Sequence, residues 1–278
     1  MRSQIRPRKR FGQHFLHDQR VITRIVDAIA PTSEQRIVEI GPGLGALTLP
    51  LLTRIATLDV IEIDRDAIRE LRTRVPDGAL RIHEGDVLNF DIGSLRQQDE
   101  QSAGQNAQQM GRRLRLVGNL PYNISTPLLF KLIAQREHIE DMHFMLQKEV
   151  VDRMAAQPDT AEYGRLTVML APWVAVESLF DIGPGAFRPP PRVVSSVARL
   201  KPHAQPPFAI HDLDVFSRVV AAAFAQRRKT MRNALRGLIS EDAFARAGVD
   251  PGARGETLSP AEFARLAGEH DPTPADNS

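Results

Sequence analysis

Apolar and polar positions alternate along this chain in two rhythms. Val21, Ile22, Ile25, Val26 and Ile29 recur at helical spacing, which predicts a helix over 18–30 that Pro31 stops. Short apolar runs follow at 36–40, 57–63, 79–83, 114–118 and 141–146, each of strand length. Helical patterns separate several of them, at 46–54, at 65–74 and through Leu128, Leu129 and Leu132. Strands and helices alternating in this way predict an α/β fold, a parallel sheet covered on both faces. A further strand is expected over 194–200, and residues 201–207, with prolines at 202, 206 and 207, read as a linker. Beyond it the pattern is helical at 213–226, 230–239, 240–247 and 260–266, a small all-helical C-terminal domain. The expected organisation is a basic tail at 1–10, an α/β domain over 11–202, a helical domain over 203–270 and a frayed tail at 271–278. Residues 93–111, rich in Gln and poor in apolar side chains, read as a mobile surface loop.

Composition narrows the chemistry. Of 278 residues 42% are hydrophobic and 25% charged, enough for a substantial core. The chain has no cysteine, which excludes disulfides, thiolate-held metals and a cysteine nucleophile. No apolar run approaches the roughly 18 residues of a membrane span, and the basic N-terminus lacks an apolar segment. A cytoplasmic protein without membrane contact is expected. Net charge is only +2, yet positive charge is clustered. Arg2, Arg6, Arg8, Lys9 and Arg10 form one cluster and Arg227, Arg228, Lys229, Arg232 and Arg236 another, neither containing an acid. Clusters of this kind suit a polyanion such as RNA.

Four strand ends carry candidate chemistry. Glu39-Ile40-Gly41-Pro42-Gly43-Leu44-Gly45 is a glycine-rich turn between a strand and a helix. Gly41 and Gly43 let the backbone bend and a ligand approach. No Gly-Lys-Ser/Thr follows, so it is not a P-loop, and two cofactor classes stay open: a dinucleotide or S-adenosylmethionine. Glu62 ends the next strand, where a carboxylate can accept from both ribose hydroxyls of an adenosine. Asp64 is its near alternative, or else a helix cap. Asp86, followed by Val87, ends the third strand and can accept from an adenine amine. Asn119-Leu120-Pro121-Tyr122 ends the fourth. Asn119 offers an acceptor and a donor, Pro121 fixes the backbone, and Tyr122 offers a face for a base. A base-handling motif beside an adenosine-binding edge favours methyl transfer over hydride transfer.

These residues resemble a known family. Lys9-Arg10-Phe11-Gly12-Gln13-His14-Phe15-Leu16, Glu39 to Gly43, Glu62-Ile63-Asp64 and Gly118 to Ser125 match, as do Met145 to Glu149, Tyr163 to Leu166, Phe187 to Pro191 and Gln226 to Thr230. Together and in this order they resemble the small-subunit ribosomal RNA adenine dimethyltransferases, relatives of the erythromycin-resistance methyltransferases. The resemblance implies a Rossmann-like methyltransferase sheet, a helical C-terminal domain and S-adenosylmethionine as methyl donor. It implies dimethylation of two adjacent adenosines in the 3′-terminal hairpin of small-subunit ribosomal RNA during assembly of the pre-30S particle, by a monomer. Cofactor contacts would come from His14, Leu16, Gly41, Glu62, Asp86 and Asn119, with Gly43 and Val87 beside them. His14 stands where the family usually has Asn. Asn119 and the Leu120 carbonyl would hold the adenine N6 amine, Tyr122 would stack on the base and Phe187 would close its other face. Arg8, Lys9, Arg10, Arg227, Arg228, Lys229 and Arg232 would meet RNA. A non-catalytic RNA-binding assembly factor and a dinucleotide oxidoreductase are the alternatives.

Overall fold

The computed structural model describes residues 14–96 and 113–270. The basic tail with Arg8, Lys9 and Arg10, most of the expected 93–111 loop and the 271–278 tail lie outside the described residues. Two compact units emerge. The first joins residues up to Val151 with Val176–Pro202, and the second joins Asp152–Ala175 with residues from His203 onward.

In the first unit, β2 (Ile37–Ile40), β3 (Leu58–Glu62), β4 (Leu80–Glu84), β5 (Leu114–Asn119), β6 (Ile139–Gln147), β7 (Val174–Ile182, whose first residues belong to the second unit) and β9 (Ser195–Pro202) form one sheet. Their order is β4-β3-β2-β5-β6-β9-β7. The expected all-parallel sheet is instead mixed. β4, β3, β2, β5 and β6 pair in parallel, whereas β9 runs antiparallel to β6. Every residue of β2 and β3 is buried, the mark of strands covered on both faces. The chain winds outward from β2 through β3 to β4, then returns to start β5 on the other side of β2. Ligands in open α/β sheets bind where the strand order reverses in this way, beyond the carboxyl ends of the strands.

Helix α1 (Gln19–Ile29) buries Ile22, Ile25, Val26 and Ile29 against this sheet. Its N-terminus is capped by Asp18, whose carboxylate accepts from the Arg20 N–H at 2.9 Å and the Val21 N–H at 3.2 Å. The expected linker begins later than position 201, because Lys201 and Pro202 end β9. A short ribbon was not foreseen: β1 (Phe15–Leu16) pairs antiparallel with β8 (Phe187–Arg188).

Far from the switch point, near the start of β5 and β6, lies a buried ion network. Arg115 grips Asp141 through Nε at 2.8 Å and Nη2 at 3.0 Å, and its Nη1 donates to Gln35 at 2.7 Å. Arg199 adds a contact to Asp141 at 3.3 Å. His143 is buried nearby, its Nδ1 3.7 Å from Asp141 and without a hydrogen-bond partner among the described residues. Burial pushes its pKa down to about 4, against the pull of Asp141.

The second unit has its own core. Val215, Phe216, Val219 and Val220 of the helix Leu213–Ala225 pack with Phe244, Phe263 and Leu266. Tyr163 and Val168 belong to the same core, and the Tyr163 hydroxyl donates to the Leu258 carbonyl at 2.7 Å. That packing draws Asp152–Ala175 away from the expected 11–202 domain. The helix expected over 230–239 is a single turn, Met231–Ala234. Among the described residues no helix is long and apolar enough to cross a membrane.

Candidate active site

At the end of β2 the backbone turns through Gly41 at φ +65° and Gly43 at φ +53°, conformations that favour glycine. The Gly41 N–H donates to the Ile61 carbonyl at 2.9 Å, tying the turn to β3. Glu62 at the end of β3 is held by three backbone donors: Gly43 at 3.1 Å, Ile63 at 2.9 Å and Asp64 at 2.8 Å. Burial raises its pKa, and these bonds offset the rise only in part. The carboxylate is thereby fixed in place with acceptor capacity to spare. Asp64 is the helix cap, accepting from the Asp66 N–H at 2.9 Å. Asp86 holds its own turn, one oxygen accepting from the Leu88 N–H at 2.9 Å and the other from the Asn89 amide at 3.2 Å.

Across the switch point, β5 lies so close to β2 that a Cβ on Gly118 would come within 2.5 Å of the Ile40 carbonyl oxygen. Asn119 follows. Its Nδ2 donates to the His14 carbonyl at 3.1 Å. A carbonyl only accepts, so the amide nitrogen must face it and Oδ1 is turned the other way. The Leu120 N–H donates to the Met145 carbonyl at 3.2 Å, and Leu120, a buried residue, lines the cavity wall beside Asn119. The Tyr122 ring stacks on His14, centroids 6.0 Å apart and 29° between planes. The Tyr122 hydroxyl shares a hydrogen bond with Ser195 at 2.8 Å, and burial raises the phenol's pKa. His14 Nδ1 lies 2.8 Å from the Pro189 carbonyl and so carries the proton it donates there.

Both edges line one cavity of about 1000 Å³ within the first unit. Its walls include His14, Leu16, Gly41, Gly43, Glu62, Asp86, Val87 and Asn119 to Tyr122. The profile of the family described as ribosomal RNA adenine dimethylase matches residues 4–271. The chain belongs to that family. Ribosomal RNA small subunit methyltransferase A of Methylococcus capsulatus is 54% identical over 267 residues, 96% of this chain and 98% of that one. The protein of the same name from Pseudomonas aeruginosa is 51% identical, covering 96% and 95%. Among solved structures, a dimethyladenosine transferase from Plasmodium falciparum superposes with a TM-score of 0.74 at 23% identity, covering 92% of this chain and 99% of that one. The 23S rRNA methyltransferase ErmE gives 0.68 at 24%, covering 92% and 98%. These two likenesses show the shared fold. Membership in the adenine dimethylase family removes the oxidoreductase alternative.

Two expectations for this dimethylase need correction. Phe187 does not line the cavity. It is 2% exposed and packs in the core with Leu16 and Ile182, because the β1–β8 register places Leu16 opposite Phe187 on the buried face. The C-terminal basic cluster is partly neutralised. Arg227 pairs with Glu256 at 3.5 Å and donates to the Ala161 carbonyl, and Arg232 Nε donates to Glu241 at 3.0 Å. Arg228 and Lys229 are exposed, with no acidic partner among the described residues.

Glu39 is the cavity residue that the sequence reading passed over as part of a glycine motif. An acid inside a wholly buried strand was the available signal. It is 2% exposed and accepts from the Thr48 hydroxyl at 2.6 Å. Burial pushes its pKa up to about 8; the Thr48 bond opposes the rise and the Glu62 charge adds to it. The folded protein thus keeps a proton that the unfolded chain releases above pH 4.5. That contribution to stability is complete below pH 4.5 and is lost as pH rises through about 8. His143 acts in the opposite sense only below its ordinary value of 6.5. Between pH 6.5 and 8 the melting temperature of the wild type is expected to fall more steeply than that of Glu39→Gln. Equal slopes in thermal unfolding would show Glu39 to be ionised in the fold.

Proposed function

We propose that this protein transfers methyl groups from S-adenosylmethionine to N6 of two adjacent adenosines in the 3′-terminal hairpin of small-subunit ribosomal RNA. The product is a pair of N6,N6-dimethyladenosines. One observation carries the reading: a single cavity joins the Gly41–Glu62–Asp86 edge to the Asn119–Tyr122 edge. Its volume stands at the upper end of the range for small-molecule sites, room for an adenosine cofactor beside a base. The choice of RNA follows the names of relatives that match almost the whole chain.

The residues fit the cofactor. Glu62, fixed by three N–H groups, is suited to ribose hydroxyls, Asp86 to an adenine amine, and the turn at Gly41 and Gly43 to close approach. Leu16 and Val87 supply apolar wall, and His14 lies beside them. When bound, the cofactor supplies a methyl group already activated on a sulfonium. This chain's task is then orientation. An adenine amine is a weak nucleophile because its lone pair is delocalised into the ring. Accepting its hydrogens at Asn119 Oδ1 and the Leu120 carbonyl favours a pyramidal N6 with a localised lone pair. Tyr122, neutral and pinned by Ser195, offers a rigid stacking face, a contact of about 1–3 kcal/mol per base. Extruding a base costs a few kcal/mol, least for one already unpaired.

The protein acts as a cytoplasmic monomer on RNA held in the assembling pre-30S particle. Arg228, Lys229 and the tail residues Arg8, Lys9 and Arg10 supply phosphate contacts, assisted by Arg227 and Arg232 when RNA competes with their acids. The test is mass spectrometry of small-subunit particles incubated with the protein and labelled S-adenosylmethionine. Two labelled dimethyladenosines in the 3′-terminal hairpin are expected. RNA binding without label would make the protein a non-catalytic assembly factor.

A further inference from the structure

The β1–β8 ribbon sorts its side chains by face. Leu16 and Phe187 are paired and buried. Cross-strand partners share a face, so the other pair, Phe15 and Arg188, points the opposite way. Both line the cavity, whereas of the buried pair only Leu16 borders it and Phe187 does not. Phe15 reaches its floor, where its ring would lie 3.5 Å from a Cβ on Gly43. Arg188 is exposed and stands at the rim. The residue after it, Pro189, is bonded by the His14 imidazole that stacks on Tyr122. The Arg188 guanidinium has no hydrogen-bond or ion-pair partner among the described residues.

Charge along the wall is divided. Glu62 and Asp86 come from β3 and the segment after β4, the edge suited to a cationic cofactor. Arg188 comes from the ribbon. Arg74 also lines the cavity, but its guanidinium donates to the Leu44 carbonyl. An unpaired guanidinium at a solvent-facing rim is suited to a phosphate, which it binds bidentately. A nucleotide whose base enters beside Tyr122 must leave its phosphodiester outside the cavity.

We propose that Arg188 binds a backbone phosphate flanking the adenosine whose base occupies the cavity. This rests on the RNA-methylating function above and adds to it a positioning residue for the substrate backbone. Arg188 holds the strand in register while Tyr122 and Asn119 hold the base.

The test compares wild type, Arg188→Gln, Arg188→Lys and Arg72→Gln. Arg72 is an exposed residue of the helix Arg65–Arg74 that does not line the cavity. Steady-state methylation of small-subunit RNA, RNA affinity from 50 to 200 mM salt and cofactor affinity by calorimetry are measured for each. Arg188→Gln is expected to raise the KM for RNA roughly tenfold, as befits loss of a charge-assisted bond. The slope of log affinity against log salt should shrink by about 0.7–0.9, one phosphate contact. Cofactor affinity should stay at the wild-type value. Arg188→Lys should keep the wild-type slope, and Arg72→Gln should change none of the three. An unchanged slope in Arg188→Gln, an equal loss in Arg72→Gln, a lost slope in Arg188→Lys, or a fall in cofactor affinity would each overturn the assignment. The last of these would place Arg188 on the cofactor's carboxylate. A wild type that methylates no RNA defeats the function itself; an active wild type with an indifferent Arg188→Gln defeats only the phosphate contact.

Discussion

Asn119→Ala is expected to lower methyl transfer to RNA at least about 10²-fold, the scale on which one preorganised polar group at a reacting centre counts. The His14 carbonyl takes one N–H of the Asn119 amide, which turns Oδ1, the side chain's one acceptor, the other way and leaves it for a ligand. Alanine removes both ends of that device. The fold should survive, since a single lost hydrogen bond costs about 1 kcal/mol and β5 is held by two parallel neighbours. Cofactor affinity separates two roles. Slow turnover with wild-type affinity places Asn119 on the adenine amine, whereas a parallel loss of affinity places it on the cofactor. Wild-type turnover would exclude it from both.

Asp141→Ala is expected to destabilise the first unit by about 3–5 kcal/mol, the cost of leaving a buried charge without its partner. Arg115 is 5% exposed and Asp141 2%, so neither can turn to water. Burial alone would raise the Asp141 carboxyl, but the bonds from Arg115 and the charges of His143, Arg115 and Arg199 hold it below its ordinary value. Its contribution is therefore present at neutral pH and lost as pH falls below about 4. Replacing Arg115 and Asp141 together by Met and Leu should recover most of the loss, because apolar pairs of similar volume are well tolerated there. The measurement is urea unfolding followed by circular dichroism, since the chain's one tryptophan, Trp173, belongs to the other unit. A loss under about 1 kcal/mol would show that water reaches Arg115.

The parallel strands were readable because burial on both faces demands near-continuous apolar runs, as in Leu114 to Gly118. The ligand edge was readable because its demands are local: glycines at a turn, carboxylates and an amide at strand ends. What escaped depends on distant partners. Strand β7, Val-Ala-Val-Glu-Ser-Leu-Phe-Asp-Ile, is largely exposed along its middle and shows no clean period. Phe187 looked like a stacking face because its motif is aromatic, but its direction is set by register with Leu16. Likewise the basic run at 227–232 holds no acid, yet Glu256 and Glu241 reach it through tertiary folding. Tyr163 and Val168 gave no local sign that their segment belongs to the second core.

The ribbon has a consequence for when the protein becomes competent during its own synthesis. His14 and Pro189 are 175 positions apart, and neither contact of the pair can form until the later segment exists. A nascent chain that has extruded β2 to β5 carries the cofactor edge and Asn119, but no rim. Asn119 and His14 are then present without Pro189, the later partner of the His14 imidazole. The rim around the base-holding edge is thus completed only after the cofactor edge and Asn119 have been made.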